Sequence, residues 1–394
     1  MTYGRDGIYL DHAATTPTDP SVIEVMLPYF TGQFGNPSSI YQLGQEGRAA
    51  LDRGRSQVSG VLGCSQTEVL FTSGATESNN LALRGAVEAW RGRRPDGEPP
   101  HLIISAIEHH AVLDVADHLA LTGVEIDVVA CDDQGIIDPV AVRTAVRPNT
   151  ALISVMYANN EIGSVQPIRD IAAVGKERGI PVHTDAVQAA GMLDLDVGNL
   201  GVDLLSLSAH KFYGPKGVGA LYVKKGTPIT YQQRGGGQES GRRGGTENVP
   251  LIVGLAEALR LADASRPAYV QHCQAVRDRL WNALSREISG MELNGPPTGE
   301  FRLPNNLNVV VPGVQGETML LNLDLLGVAA SAGSACTTGN SAPSHVLLAI
   351  GRSEAEARAS IRLSIGRGNS AEEIDAAAEA FIDSVNRIQQ LSAV

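Results

Sequence analysis

Between Glu68 and about Val223, short β-branched apolar runs alternate with amphipathic ones. The runs Glu68–Thr72, His101–Ala106, Glu125–Ala130, Ala151–Tyr157, Pro181–Thr184, Leu204–Leu207 and Gly219–Val223 predict seven strands. Apolar positions at helical spacing between them predict helices over Ser78–Trp90, Val112–Leu121, Pro139–Val146 and Pro167–Arg178. Alternation of this kind predicts an α/β domain around a mostly parallel sheet, where ligands bind beyond the carboxyl ends of the strands. Beyond Gly245 the pattern changes. A long helical stretch from Val249 to about Arg286 precedes strand-like Asn305–Val311, a helix near Glu317–Leu326, strand-like Ser360–Ile365 and a last helix from Ala371. This predicts a second, smaller α+β domain completed by the N-terminal residues, with residues 16–260 forming the large domain and residues 1–15 and 261–394 the small one.

Composition narrows the class. The chain has 394 residues, 43% hydrophobic and 19% charged, enough to bury a large core. Arg5, Asp6 and two glycines interrupt Met1 to Leu10 where a leader needs apolar residues, and no apolar run is long enough for a bilayer. The expectation is a soluble cytoplasmic protein without a membrane partner. Cys64, Cys131, Cys273 and Cys336 match neither a disulfide framework nor a zinc spacing, so no metal is expected. A net charge of −12 argues against direct nucleic-acid binding. Arg91, Arg93 and Arg94 form a local basic patch in a segment, Arg91 to Pro100, that reads as a surface loop.

Polar clusters follow the predicted strands, which puts them on one rim of the sheet. In Ser206-Leu-Ser208-Ala-His210-Lys211-Phe-Tyr-Gly214-Pro-Lys216-Gly217 a lysine stands between an apolar strand and a glycine-rich turn. That setting suits a Schiff-base lysine with a phosphate nearby, and equally a strand followed by a polar turn. Ser73-Gly74-Ala75-Thr76-Glu77-Ser78 joins a strand to a helix and reads either as a phosphate cradle or as an ordinary N-cap. In Glu108-His109-His110 either histidine can stack on a ring or move a proton, or serve as a polar loop residue. Asp185, in His183-Thr184-Asp185-Ala186-Val187-Gln188, leaves an apolar strand and needs a cationic partner, for which a pyridinium nitrogen is suitable. Gln188 would address the opposite edge of the same ring. Tyr157-Ala158-Asn159-Asn160 adds amides at another strand end, and the glycine-rich run Gly235 to Asn248, with Thr246, reads as a mobile loop at the domain junction. Cys336 lies among small residues in Ser331 to Asn340, a setting that suits an exposed reactive thiol or a small, partly buried residue.

The strings YLDHAATTP, FGNPSS, SGATESNNLA, EHHAVLD, YANNEIGSVQPI, HTDAVQAAG, SAHKFYGPKG, GGGQE with GGTEN, SAGSAC and SIRLSIGR stand in this order between Tyr9 and Arg367. The chain thereby resembles cysteine desulfurases of the NifS/IscS group. The resemblance implies the fold type I, aspartate aminotransferase-like architecture, a homodimer and pyridoxal 5'-phosphate as cofactor. It makes Lys211 the Schiff-base lysine, Asp185 the partner of the pyridine nitrogen, Gln188 the contact to the phenolic oxygen and His109 the residue stacked on the ring. It assigns the phosphate to Thr76, Ser208 and His210, with Thr246 reaching in from the partner subunit, and places Ala75 among the cofactor-binding residues. Asn160 borders the cofactor and, with Arg362, matches positions that hold the substrate carboxylate. Ser240 departs from the pattern, standing where many relatives carry arginine.

The resemblance also names the reaction. L-cysteine is converted to L-alanine, with Lys211 moving the α-proton, His109 assisting, and Cys336 keeping the sulfur as a persulfide. The sulfur then passes to an acceptor protein, an iron–sulfur scaffold or an enzyme thiolating RNA or DNA. Another reaction on the same fold, such as selenocysteine cleavage or transamination, and a noncatalytic sulfur-transfer scaffold are the alternatives.

Overall fold

A computed structural model describes residues 7–94, 97–332 and 342–392, with side chains to residue 390. Twelve strands occur among these residues: β1 (Ile8–Tyr9), β2 (Val69–Thr72), β3 (His101–Ser105), β4 (Glu125–Val129), β5 (Thr150–Ser154), β6 (Val182–Asp185), β7 (Leu204–Ser208), β8 (Gly219–Val223), β9 (Glu292–Leu293), β10 (Asn306–Val310), β11 (Val328–Ala329) and β12 (Ser360–Ser364). Seven of them form one sheet in the order β2-β8-β7-β6-β5-β3-β4. Only β8 runs against its neighbours, so the carboxyl ends of the other six share a rim.

Every residue of β2, β3, β5, β6, β7 and β8 is buried, so both faces there are covered, whereas in the edge strand β4 only Val129 is buried. Val69 and Phe71 face one core, with Ile153, Val182 and Leu205. Leu70 faces the other, with Leu102, Leu152 and Leu221, against Leu81, Leu83 and Trp90 of the helix Ala75–Arg93. Period-two alternation places successive residues in opposite cores. The helix runs on to Arg93, so the loop expected from Arg91 begins three residues later, at Arg94.

A second core surrounds the antiparallel sheet β12-β10-β9 and the helix Ala371–Ser392. Leu10 belongs to it, and β1 pairs with β11, so both ends of the chain meet there. The 39-residue helix Val249–Glu287 serves both cores. Ile252, Leu255 and Leu259 pack against the large sheet, whereas Cys273, Leu280 and Leu284 pack in the second core. Pro267 lies between these two sets.

Among the described helices that were not foreseen, Gln42–Leu62 is the longest. It packs on the long helix, with Gly54 close to Ile252, where a Cβ would come within 3.4 Å of the isoleucine side chain.

Candidate active site

The carboxyl-end rim of the large sheet opens on a cavity of about 530 Å³. Ala75, Thr76, His109, Asn160, Asp185, Gln188, Ser208, His210, Lys211 and Arg362 all line it. Thr246 lies in a neighbouring cavity that shares Ser73 and Gly217 with the first. Cys336 lies outside the described residues.

Lys211 ends the short turn Ala209–Lys211 directly after β7. Its Nζ donates to the carbonyls of Ala13 (2.6 Å) and Ala14 (2.8 Å), and Gln188 Nε2 donates to the same Ala13 oxygen at 3.1 Å. The turn is held under strain. Tyr213 has φ 66, rare for a residue with a Cβ, and is fixed by Thr16 Oγ1 on its amide (2.8 Å) and by Tyr269 (3.2 Å) and the Arg367 amide (2.7 Å) on its hydroxyl.

Asp185 is the last residue of β6 and only 6% exposed. Asn79 Nδ2 donates to its Oδ2 at 2.6 Å and the Val187 amide to its Oδ1 at 3.0 Å. Among the described residues no cation pairs with it in a salt bridge. At the opposite end of the cavity the helix Ala75–Arg93 begins at Gly74 without a side-chain cap, leaving its first amides available to an anion. Gly219 abuts Gly74 so closely that a Cβ there would lie 2.7 Å from the Gly74 backbone. The glycines thus keep this corner open.

Glu77 brings a carboxylate near the anion corner but is neutralised by Arg243, at 2.9 and 3.2 Å. Burial would raise its pKa, yet the hydrogen bonds from Arg243 and Ser73 outweigh burial and hold it below the usual range. His210 is pushed down to about 4 by burial, with Lys211 and Lys216 adding to the effect.

His109 caps the helix His110–Ala120, its Nδ1 accepting the Ala111 amide at 3.0 Å. That bond leaves the proton of the neutral ring on Nε2. Burial lowers its pKa, against the raising effect of Asp185 and with the lowering effect of Lys211. Arg362 comes from β12 of the second core and is 1% exposed. Its guanidinium donates to Asn160 O (2.9 Å) and Asp11 Oδ1 (2.7 Å), while Nε has no acceptor among the described residues.

Three features escaped the sequence reading. Asn79 reads as an ordinary residue in a helix's first turns, yet it holds Asp185. Glu108 is fully buried, accepting from Ser105 Oγ (2.5 Å) and the Met156 amide (2.7 Å), and burial raises it to about 8. The glycine-rich run read as a mobile loop is pinned by Glu239, 6% exposed, which pairs with Arg55 at 2.5 and 2.8 Å. Two residues beyond Ser240, Arg242 donates to Thr67 O at 2.8 Å and Val69 O at 3.2 Å.

The donor set fits pyridoxal phosphate: an uncapped helix start with Ser208 and His210 for a dianion, a buried carboxylate that no cation among the described residues pairs in a salt bridge for a protonated ring nitrogen, and a lysine lining the same cavity. The comparisons agree. The family model described as aminotransferase class-V matches residues 8–377. Cysteine desulfurase IscS of Methanosarcina thermophila is 46% identical over 385 residues, covering 98% of this chain and 93% of the relative. This chain belongs to the cysteine desulfurases of the class-V aminotransferase family. It is therefore a pyridoxal phosphate-dependent enzyme. A solved NifS-like protein superposes with a TM-score of 0.90 at 35% identity, covering 97% of this chain and all of that one. SspA in complex with cysteine superposes with a TM-score of 0.79 at 38% identity, covering 91% of this chain and 98% of that one.

Proposed function

We propose that this desulfurase takes L-cysteine to L-alanine and retains the sulfur on Cys336. The observation that carries the reading is the convergence of Lys211, Asp185, His109 and Arg362 on one cavity. The solved relative with cysteine bound supports the substrate.

When bound, pyridoxal phosphate supplies an electron sink for the carbon that bears the substrate amine. Lys211 would carry it, and its Nζ would move the α-proton. Asp185 would accept from the protonated ring nitrogen, with Asn79 fixing the carboxylate. Ala75, Thr76, Ser208 and His210 would hold the phosphate, Gln188 would face the phenolic oxygen, and His109 would stack on the ring with its proton on Nε2. Arg362, with Asn160, would orient the substrate carboxylate, since a guanidinium matches carboxylate geometry. The C–S bond of cysteine breaks, a bond forms between that sulfur and Cys336 Sγ, and a proton ends on the carbon of alanine. Substrate plus thiol thus equals alanine plus persulfide, with no outside oxidant.

The same reading includes a homodimer in which Thr246 of the partner subunit completes the phosphate site, and the division into domains at residues 16–260 and 1–15 with 261–394. The two separate cores support two domains, with Val346, Leu347 and Ile350 packing in the large-sheet core and Tyr213 in the second. We place the enzyme in the cytoplasm; no helix among the described residues is long and apolar enough to cross a membrane. Its sulfur acceptor would be an iron–sulfur scaffold or a thiolation enzyme.

The test is Lys211→Ala. The variant should lose the cofactor's visible band and release no sulfide from L-cysteine in the presence of a reductant. A variant that keeps both would overturn the assignment.

A further inference from the structure

Two loop tips carry His109 and Asn160, and both are built from buried polar groups that need partners. Asn159, 0% exposed, ties one tip to the other: its Nδ2 donates to Ile107 O (2.9 Å) and its Oδ1 accepts the amides of Glu161 (2.8 Å) and Ile162 (2.9 Å). Asn306 and Asn308 of β10 donate to Glu161 O at 3.0 and 3.1 Å. A third element then closes over both tips. Ser344 Oγ donates to Glu161 Oε2 at 2.5 Å while capping the helix His345–Ala349, and His345 Nε2 lies 2.9 Å from the carbonyl of Glu108. A carbonyl only accepts, so that nitrogen carries the proton. The ring of His345 also meets His110 edge to face, with centroids 5.2 Å apart.

We propose that His345 is a positioning residue for the desulfurase reaction: its Nε2–H to Glu108 O, with Ser344 on Glu161, fixes the tips that aim His109 and Asn160. The inference rests on the roles given above to those two residues. His345 does not line the cavity. It acts on the peptide that precedes His109, whose own ring is oriented by the next turn of backbone. Losing one hydrogen bond to a buried carbonyl leaves that carbonyl without its partner, a cost that the tip relieves by shifting.

The experiment compares wild-type holoenzyme with His345→Ala and His345→Gln, because a glutamine amide offers an N–H at similar reach without the ring. His345→Ala should keep its cofactor, lose about tenfold in kcat through His109, raise KM through Asn160, and speed amide hydrogen exchange across residues 107–113 and 159–163 about tenfold. His345→Gln should restore all three readouts to near wild type. Equal loss in the two variants would mean that the ring's bulk matters and not its N–H, which overturns the proposal, as would wild-type exchange and kcat in His345→Ala. If His345→Ala does not accumulate folded, Glu161→Gln weakens the companion bond and should speed exchange in the same tips; unchanged exchange there also overturns it. Hydrogen exchange needs no turnover, so a wild-type enzyme without sulfide release would sink the reaction assignment and leave the brace to be judged separately.

Discussion

The side-chain amide of Asn79 donates to Asp185 Oδ2 at 2.6 Å, from a helix on one side of the cavity to the end of a strand on the other. With the Val187 amide on Oδ1, the carboxylate has a hydrogen bond on each oxygen and a fixed orientation. Asn79→Ala should therefore weaken pyridoxal phosphate about tenfold in a titration of the apo-protein followed by absorbance. Asn79→Asp should be worse, because a second carboxylate would repel the first. Unchanged affinity in both variants would remove Asn79 from the account.

Cys64 and Cys273 are pushed up to about 12 and Cys131 to about 11, burial being the leading cause in each. At pH 7.5 almost none of these three is thiolate, the form that reacts. Iodoacetamide should then label one site rapidly, Cys336, with three slow ones, and Cys336→Ser should lose the fast phase. A fast phase surviving in that variant would contradict the assignment of the reactive thiol.

The glycine-rich run has two residues in the left-handed region that are not glycine, Glu239 at φ 49 and Ser240 at φ 59. Ser240 is exposed, so Ser240→Gly relieves strain without removing a packed group and should stabilise by about 0.5 kcal/mol. Glu239→Gln leaves Arg55 without its buried counter-charge and should destabilise by about 3 kcal/mol. Thermal midpoints of the two variants should move in opposite directions.

Three imidazoles are held neutral, each mainly by burial: His12 down to about 4, His183 to about 3 and His210 to about 4. Unfolded, each takes up a proton near 6.5, so below that pH the unfolded chain binds more protons than the folded one. Their contribution is complete above 6.5 and is lost as pH falls through about 4. Glu108, raised to about 8, acts in the other sense: it favours the fold below its ordinary 4.5 and gives this up as pH rises through 8. Three groups against one predict a lower thermal midpoint for the apo-protein at pH 4.5 than at pH 7. His183→Asn should make the slope shallower.

Much of this was legible in the chain. Six of the seven strands of the large sheet could be read because burial on both faces demands apolar runs, the edge strand β4 because its β-branched residues survive beside Glu125 and Asp127, and the site clusters because each follows a strand end. Asp185 stood out as a charge leaving such a run. Asn79 did not, since an amide in a helix's first turns looks like surface, and the carboxylate it holds lies in a strand 106 residues away. Gln42–Leu62 was missed because Gly44, Gly47, Gly54 and Gly60 thin its apolar stripe; Gly44, Gly47 and Gly54 are buried contact points instead. Glu239 was hidden for a related reason: a glycine-rich run signals freedom, and only the fold brings Arg55 to it.

The account stands or falls on where the sulfur goes. Holoenzyme mixed with one equivalent of L-cysteine without reductant, then analysed by mass spectrometry and amino-acid analysis, should carry one extra sulfur on the peptide containing Cys336 and release an equal amount of alanine. Cys336→Ser should retain the cofactor and show neither. Alanine released without sulfur on Cys336, or equally by the serine variant, would contradict it.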